Sequence, residues 1–439
     1  MRLSGWGRFP RIECRTVTAR TTEDAVRAVG GAHGLIARGN GRSYGDAALN
    51  PHRTLCMRGM DRMLAFDPET GVLTCEAGVL LADILDVFVP RGWFPPVTPG
   101  TKLVTVGGMI AADVHGKNHH KAGSFGDHVV GLDLLMADGR IVTCGPDQRP
   151  DLFHATRGGM GLTGVILRAS VRLIPIETAY IRQETLRAND LDEIMGLFEA
   201  SAGWTYSVAW IDCLARGARL GRSVLYRGEH ARADDLPPDM RADPMSVKRK
   251  RSLTVPLDLP GFTLNRWTVG AFNELYWRRG VPRETLVDYD TFFYPLDAIL
   301  EWNRIYGRSG FVQYQCVLPK AASAAGLRSL LQTIAAAGNA SFLAVLKLFG
   351  SQEGMMSFPM EGYTLALDFP ASSATMGLLL DLDAIVADHG GRLYLAKDAR
   401  MGASMLRRGY PAIDRFQALR AAAGLDQVFR SAQSERLGL

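Results

Sequence analysis

The chain has no Cys-x-x-Cys pair. Its six cysteines, Cys14, Cys56, Cys75, Cys144, Cys213 and Cys316, are scattered through 439 residues. That spacing points to free buried thiols in a reducing compartment rather than a disulfide framework. No wholly apolar run of the ~20 residues that span a bilayer is present, and residues 1–7 hold no apolar core of signal-peptide length. A cytoplasmic chain is expected. Basic helical repeats are absent and the aromatics are not interleaved with arginine, which argues against nucleic-acid binding. Internal repeats are absent as well.

What is present is glycine in clusters. The length favours two domains, and 47% hydrophobic with 22% charged residues is the composition of a folded globular chain. A net charge of +5 suits an anionic ligand or a membrane surface and compels neither. Residues 100–120 gather four glycines, three histidines and two lysines around the apolar Met109-Ile110-Ala111-Ala112. Glycines let a backbone approach a ligand closely, and His115 and Lys117 bring polar groups to the same place. A bound ligand is expected there.

Upstream, the apolar Gly34-Leu35-Ile36-Ala37 reads as a strand and runs into Arg38-Gly39-Asn40-Gly41-Arg42-Ser43-Tyr44-Gly45-Asp46. A strand followed by such a turn presents successive N–H groups to phosphate. Arg42 and Ser43 add a charge and a hydroxyl. The third glycine of the dinucleotide fingerprint, its acidic ribose partner and a Walker lysine are all missing. Alone, this loop reads equally well as a tight surface turn.

Together the two segments resemble the pyrophosphate-cradling loops of the vanillyl-alcohol-oxidase-type FAD-binding superfamily. The resemblance runs through Gly5-Trp6-Gly7-Arg8, Gly41-Arg42-Ser43-Tyr44-Gly45-Asp46, Thr105-Val106-Gly107-Gly108 and His115-Gly116-Lys117-Asn118-His119-His120. It continues through Ala122-Gly123-Ser124-Phe125-Gly126, Gly161-Leu162-Thr163-Gly164, Glu301-Trp302-Asn303-Arg304 and Gln313-Tyr314-Gln315. It ends in Lys347-Leu348-Phe349-Gly350 and Gly390-Gly391-Arg392-Leu393-Tyr394 with Ala396-Lys397-Asp398, in family order over nearly the whole chain.

This resemblance implies an α+β, two-domain, PCMH-type fold. An FAD-binding domain would span residues 1–178, completed by 392–439, and an antiparallel-sheet substrate domain would span 179–391. The branch most resembled oxidises the ribose C2 hydroxyl of a polyprenylphosphoryl ribose, such as the decaprenyl lipid, to a ketone. That is the first half of an epimerisation to an arabinose donor. It implies an NAD(P)H-dependent short-chain reductase as partner and quinone or oxygen as electron acceptor. Relatives that tether their flavin place a histidine where Arg42 stands, so non-covalent FAD is expected.

Local patterns fit such a chain. Thr21 and the acids after it cap a helix, and Val72–Val79 and Val129–Val142 read as strands, the latter turned at Asp138-Gly139. Beyond Pro175, Asn189–Ser201, Ser323–Ala337 and Ala374–Asp388 read as helices. Tyr206–Asp212, Gly310–Val317, Phe342–Phe349 and Tyr363–Asp368 read as strands of an antiparallel sheet with one helical face. Residues 233–262, rich in Pro and charge, read as a mobile loop. The run Lys248-Arg249-Lys250-Arg251, followed by Leu253, Val255, Leu257, Leu259, Phe262 and Leu264, reads either as a peripheral membrane contact or as a solvated charged loop.

The pyrophosphate grip is expected from backbone N–H groups of Ala37 to Ala47, of Gly100, and of Thr105, Val106, Gly107 and Gly108. The resemblance adds Ala112, Asp113, Val114, His115, Ile166 and Tyr394 as cofactor contacts. Lys397 is the leading catalytic candidate: a cation beside flavin N1 and the C2 carbonyl stabilises the charge that hydride arrival brings. His115 and Lys117 would orient the sugar or its phosphate; Tyr44, Gln315 and Lys347 are further pocket candidates. His115, His119 and His120 as metal ligands is the rival reading, but Gly116 and Asn118 disfavour the helix that their spacing needs, and no metal is expected. Trp210, Phe293 and Phe311 suit core and substrate wall equally. The closest family members carry a cysteine where Ala366 stands, so this chain lacks that thiol. Two other functions stay in view: a soluble aldonolactone or alditol oxidase, and a flavin-binding subunit that scaffolds its reductase.

Overall fold

Thr21 caps the first helix, α1 (Thr22–Val29). Its hydroxyl accepts from Asp24 N at 3.2 Å, and the Asp24 carboxylate accepts from Thr21 N at 3.1 Å. The buried side of α1, Ala25, Ala28 and Val29, covers a parallel sheet of β1 (Thr16–Thr18), β2 (Ile36–Arg38) and β3 (Thr54–Cys56), with β3 in the middle. The computed structural model describes residues 1–248, 253–260, 265–338, 341 and 343–439.

Next comes an antiparallel sheet of β4 (Met63–Asp67), β5 (Val72–Glu76), β6 (Val129–Leu135), β7 (Ile141–Cys144) and β8 (Val165–Arg172), in the order β7-β6-β8-β5-β4. Its side chains alternate between two cores, as the strand period requires. Leu135, Val165 and Leu167 join α1, while Leu134, Ile166 and Ala169 pack on α2 (Leu81–Phe88) and α3 (Val106–Ala111).

The third sheet is the largest. It contains β9 (Tyr180–Ala188), β10 (Tyr206–Ile211), β11 (Ser223–His230), β12 (Arg283–Asp288), β13 (Phe311–Pro319), β14 (Ala344–Phe349), β15 (Gly362–Pro370) and β16 (Arg392–Leu393). The order is β12-β9-β11-β10-β14-β15-β13-β16, antiparallel throughout. Helix α4 (Leu191–Ala200) packs on one face, α5 (Arg266–Arg279) on the other, α6 (Lys320–Ala337) lies beside α4 and α7 (Ser373–Asp388) beside α6. Alternation again divides the residues. In β14, Ala344, Leu346 and Leu348 go under the helices, and Val345 and Lys347 face the other way. In β13, Tyr314, Cys316 and Leu318 are core, while Gln313 and Gln315 share the open face with Lys347.

The α+β class and the antiparallel sheet are therefore as expected, but the expectation of one helical face is corrected: α5 packs on the second face, through Tyr276 against Trp210. The stretch 233–262 is better fastened than a free loop in its described parts. Ala179 N donates to Pro244 O at 2.9 Å, the Tyr180 hydroxyl to Ser246 O at 2.7 Å, and Arg8 pairs with Asp258 at 2.6 Å. Of the basic run, Lys248 is described and exposed; Arg249, Lys250 and Arg251, like Phe262 and Leu264, lie outside the described residues.

The C-terminal segment returns to the first sheet. Leu35 N donates to Val428 O at 2.7 Å and Arg430 N to Leu35 O at 2.9 Å. Helix α8 (Ala432–Leu437) then brings Arg436 between two buried carboxylates, 2.8 Å from Asp46 Oδ1 and 2.8 Å from Asp398 Oδ2. Removing one partner of a buried cluster leaves uncompensated charge, at a cost of about 3–5 kcal/mol. Arg436→Ala is thus expected to lower the unfolding free energy by that amount, read as a lower urea midpoint with an unchanged m-value. A loss below about 1 kcal/mol would show that water, not Arg436, satisfies the two carboxylates.

Candidate active site

A cavity of about 1090 Å³ separates the open face of the large sheet from the two glycine loops. That exceeds the roughly 300–1,000 Å³ of ordinary small-molecule sites, which suits a cofactor together with a substrate head.

On the loop side, Gly39 and Gly108 converge on one side chain. A Cβ at Gly39 would lie 2.1 Å from Thr105 Oγ1, and one at Gly108 2.9 Å from the same oxygen. Gly41 turns at φ +65°, with a virtual Cβ 2.3 Å from the Arg38 guanidinium; only glycine fits that turn. The N–H groups of Gly39, Asn40, Gly41, Arg42 and Ser43 have no backbone acceptor among the described residues. Those of Val106, Gly107 and Gly108 are used internally, by Val79 O, Ala77 O and Thr105 Oγ1. The open donors of the cradle therefore belong to the first loop, and the second loop contributes close approach instead. Arg42 lies over the Trp6 ring at 4.0 Å with its Nε buried and unpartnered, and burial lowers its pKa. Open N–H donors, a glycine turn and a cation fit the diphosphate of a dinucleotide cofactor.

Ala37, Ala47, Gly100, Thr105, Gly107, Ala112, Val114, Ile166 and Tyr394 also line the cavity. Arg38, Gly45, Asp46, Val106 and Asp113 do not. Arg38 donates to Ser4 O at 2.8 Å, Asp46 is held by Arg436, Gly45 is pressed on Asp398 O, and Val106 is core. Asp113, fully buried at φ +40°, accepts from Ser124 Oγ at 2.6 Å, from Gly126 N at 3.1 Å and from Ser357 Oγ. It fixes the loop that presents His115, and it touches no ligand space.

Three lysines bring ammonium groups to the cavity. Lys117 donates to Phe292 O and lies 4.3 Å above the Phe292 ring; burial, then repulsion from Lys347, pulls it down to about 7. Burial pulls Lys347 down to about 8. Lys397 stands 3.8 Å over the Tyr44 ring, and burial pulls it down to about 7. All three remain partly exposed because they open on the cavity. Gln315 Nε2 donates to His115 Nε2 at 2.9 Å and to Thr364 Oγ1 at 3.2 Å, and the Thr364 hydroxyl donates onward to Cys316 O. Burial first, then Lys347, holds the His115 pKa well below its ordinary value.

The other two histidines are structural: His119 Nε2 meets Gln352 Oε1 at 2.9 Å, and His120 Nε2 meets Trp204 O at 2.9 Å. Trp210 and Phe293 line the cavity, whereas Phe311 lies beneath Tyr44. Sequence reasoning passed over Gln313, Thr364 and Asp368. The signal was available in Gln313-x-Gln315 and Thr364-x-Ala366-x-Asp368: polar residues at period two in apolar strands share one face.

Buried neutral histidines couple folding to pH. His119, pulled down to about 4 by burial, stays unprotonated in the fold while the unfolded chain protonates below about 6.5. Between those values the unfolded state binds more protons, so stability falls as pH falls. His119→Gln is expected to flatten the pH 4–6.5 limb of chemical-denaturation stability by about 1.4 kcal/mol per pH unit, one proton. An unchanged slope would mean that His119 protonates in place.

Residues 15–145 match the FAD binding domain family. The chain is 40% identical to decaprenylphosphoryl-beta-D-ribose oxidase of Mycolicibacterium smegmatis, over 100% of this chain and 97% of that protein. Similarity to the L-gulonolactone oxidase of Mus musculus, at 32% identity, reaches only 37% of this chain. Among solved structures, a variant of the BBE-like 1 protein of Physcomitrella patens superposes with a TM-score of 0.67 at 16% identity, covering 94% of this chain and 89% of that one.

Proposed function

The chain belongs to the decaprenylphosphoryl-β-D-ribose oxidase family, and we propose that it oxidises the ribose C2 hydroxyl of decaprenylphosphoryl-β-D-ribose, or a related polyprenylphosphoryl ribose, to the ketone. It is an FAD-dependent oxidoreductase. The observation that carries the substrate reading is the cluster of Lys117, Lys347 and Lys397 in one cavity whose wall is largely apolar.

Bound FAD supplies the hydride acceptor. The open N–H row of Gly39–Ser43 and Arg42 would hold its diphosphate without a covalent tether. Lys117 and Lys347 take the substrate phosphate, whose negative charge offsets their mutual repulsion. His115 and Gln315 orient the sugar, since their own hydrogen bond fixes which polar atoms face it. Lys397 places positive charge where negative charge develops. Hydride leaves C2, the hydroxyl proton leaves oxygen, and a carbonyl forms. The ketone then needs a nicotinamide-dependent reductase, and the reduced cofactor needs a quinone or oxygen.

A lipid substrate also requires access from a bilayer. Trp267 and Leu275 of α5 are 73% and 49% exposed, Leu253 and Leu257 nearby are 71% and 55% exposed, and Phe272 and Tyr276 of the same helix line the cavity. Arg266, Arg278, Arg279 and Lys248 supply cations. This rim is the proposed contact with an anionic membrane surface of the cytoplasmic leaflet. No helix among the described residues is long and apolar enough to cross the membrane. In flotation with vesicles of anionic lipid, Trp267→Ser with Leu275→Ser is expected to lose most of the bound fraction. Unchanged flotation would remove this rim from the proposal.

The reaction itself is tested anaerobically. Mixing the yellow protein with polyprenylphosphoryl ribose should bleach the oxidised-flavin band, and Lys397→Ala should abolish bleaching with FAD retained. Bleaching by free alditols or lactones but not by the lipid sugar would replace this substrate class with another.

A further inference from the structure

We infer that Asp368 is the positioning residue that keeps Lys397 in its charged form, an inference resting on the role given to Lys397 above. Asp368 lies two and four residues beyond Ala366 and Thr364 in β15, so it occupies the cavity face, opposite Gln313 in register. Its side chain is nevertheless fully buried and does not itself line the cavity. Oδ1 accepts from Gln313 Nε2 at 2.6 Å, and Oδ2 has no partner. The same Gln313 nitrogen lies 3.3 Å from the Tyr44 hydroxyl, and the Tyr44 ring carries the Lys397 ammonium at 3.8 Å. Carboxylate, amide, phenol and ammonium thus form one contiguous row.

A buried carboxylate with an unpartnered oxygen stays ionised only beside a cation, and a buried ammonium on an aromatic face stays charged only beside an anion. Each of these two groups favours the other's charged form, and the Gln313 hydrogen bond favours the carboxylate further. The remaining groups around Lys397 offer no substitute. Lys347 of β14 opposes its charge, His115 and Tyr44 are neutral, and Asp398, next in the chain, is turned to Arg436. Asp368 is therefore the carboxylate that favours the Lys397 charge among the described residues, acting against burial and Lys347.

The sign follows. Without the carboxylate, Lys397 loses its proton at lower pH. The test compares the FAD-loaded native protein with Asp368→Asn, Asp368→Glu and Lys397→Met, following the midpoint potential of the bound flavin by dye equilibration across the neutral range. The break in the potential–pH curve that Lys397→Met removes is expected to move down by at least about one pH unit in Asp368→Asn, and to return in Asp368→Glu. The inference is overturned by a break at the native pH in Asp368→Asn, or by a potential displaced equally at every pH. Should Asp368→Asn not hold FAD, nitrogen NMR titration of labelled lysine in the apo proteins reads the same movement, and an unmoved Lys397 titration overturns it equally. Neither measurement uses a sugar, so their outcome is separate from the identity of the substrate.

Discussion

The site depends on one guanidinium. Arg436 joins Asp46, two residues after Tyr44, to Asp398, one residue after Lys397. Asp398 also gathers Arg400 N and Met401 N at 2.8 and 2.6 Å, and Tyr44 N donates to Ala396 O at 2.9 Å. The ring of Tyr44 and the ammonium of Lys397 are thereby fixed against each other from three separate parts of the chain. A buried ion cluster contributes little net stability, because desolvation offsets the Coulomb gain. Its effect here is geometric: apolar contacts alone would allow the two loops to slide, whereas a forked donor between two carboxylates admits one arrangement.

Electrostatics then gives that geometry its use. Three ammonium groups open on one cavity, and the carboxylate that favours the charge of Lys397, Asp368, is withdrawn behind Gln313 and Tyr44. The cavity is consequently a place where positive charge is held at a disadvantage. Its repulsion is relieved by whatever anion enters, so affinity for a phosphorylated head comes from removing an existing penalty as well as from new hydrogen bonds. Withdrawing the carboxylate matters for the same reason: it supports one ammonium without presenting a negative surface to an anionic ligand.

Much of this was legible in the sequence, for identifiable reasons. Thr21 with Asp24, the alternation through Ala344–Phe349 and the glycines near residues 40 and 107 are local signals, and local signals survive folding. Lys397 was reached only through family resemblance, because nothing in Ala396-Lys397-Asp398 separates it from a surface lysine. The donor assignment of residues 106–108 failed because a helix N-terminus can be satisfied by its neighbours, here Val79 and Ala77, which no motif reports. Asp368 was passed over because an acid at a strand end ordinarily faces water. Only the register Gln313↔Asp368 and the covering loops show that this one is buried.

The reach of Arg436 has a consequence in time. Asp46 and Arg436 are separated by 390 residues, and at roughly 5–20 residues per second the ribosome needs roughly 20–80 s to pass from one to the other. Through that interval the first glycine loop exists without the cation that sets it, and the segment bearing Lys397 emerges only at its end. A nascent chain can therefore complete its second sheet while its cofactor site remains unassembled. Loading becomes a late event, governed by the arrival of the Arg436 segment rather than by the folding of the first glycine loop.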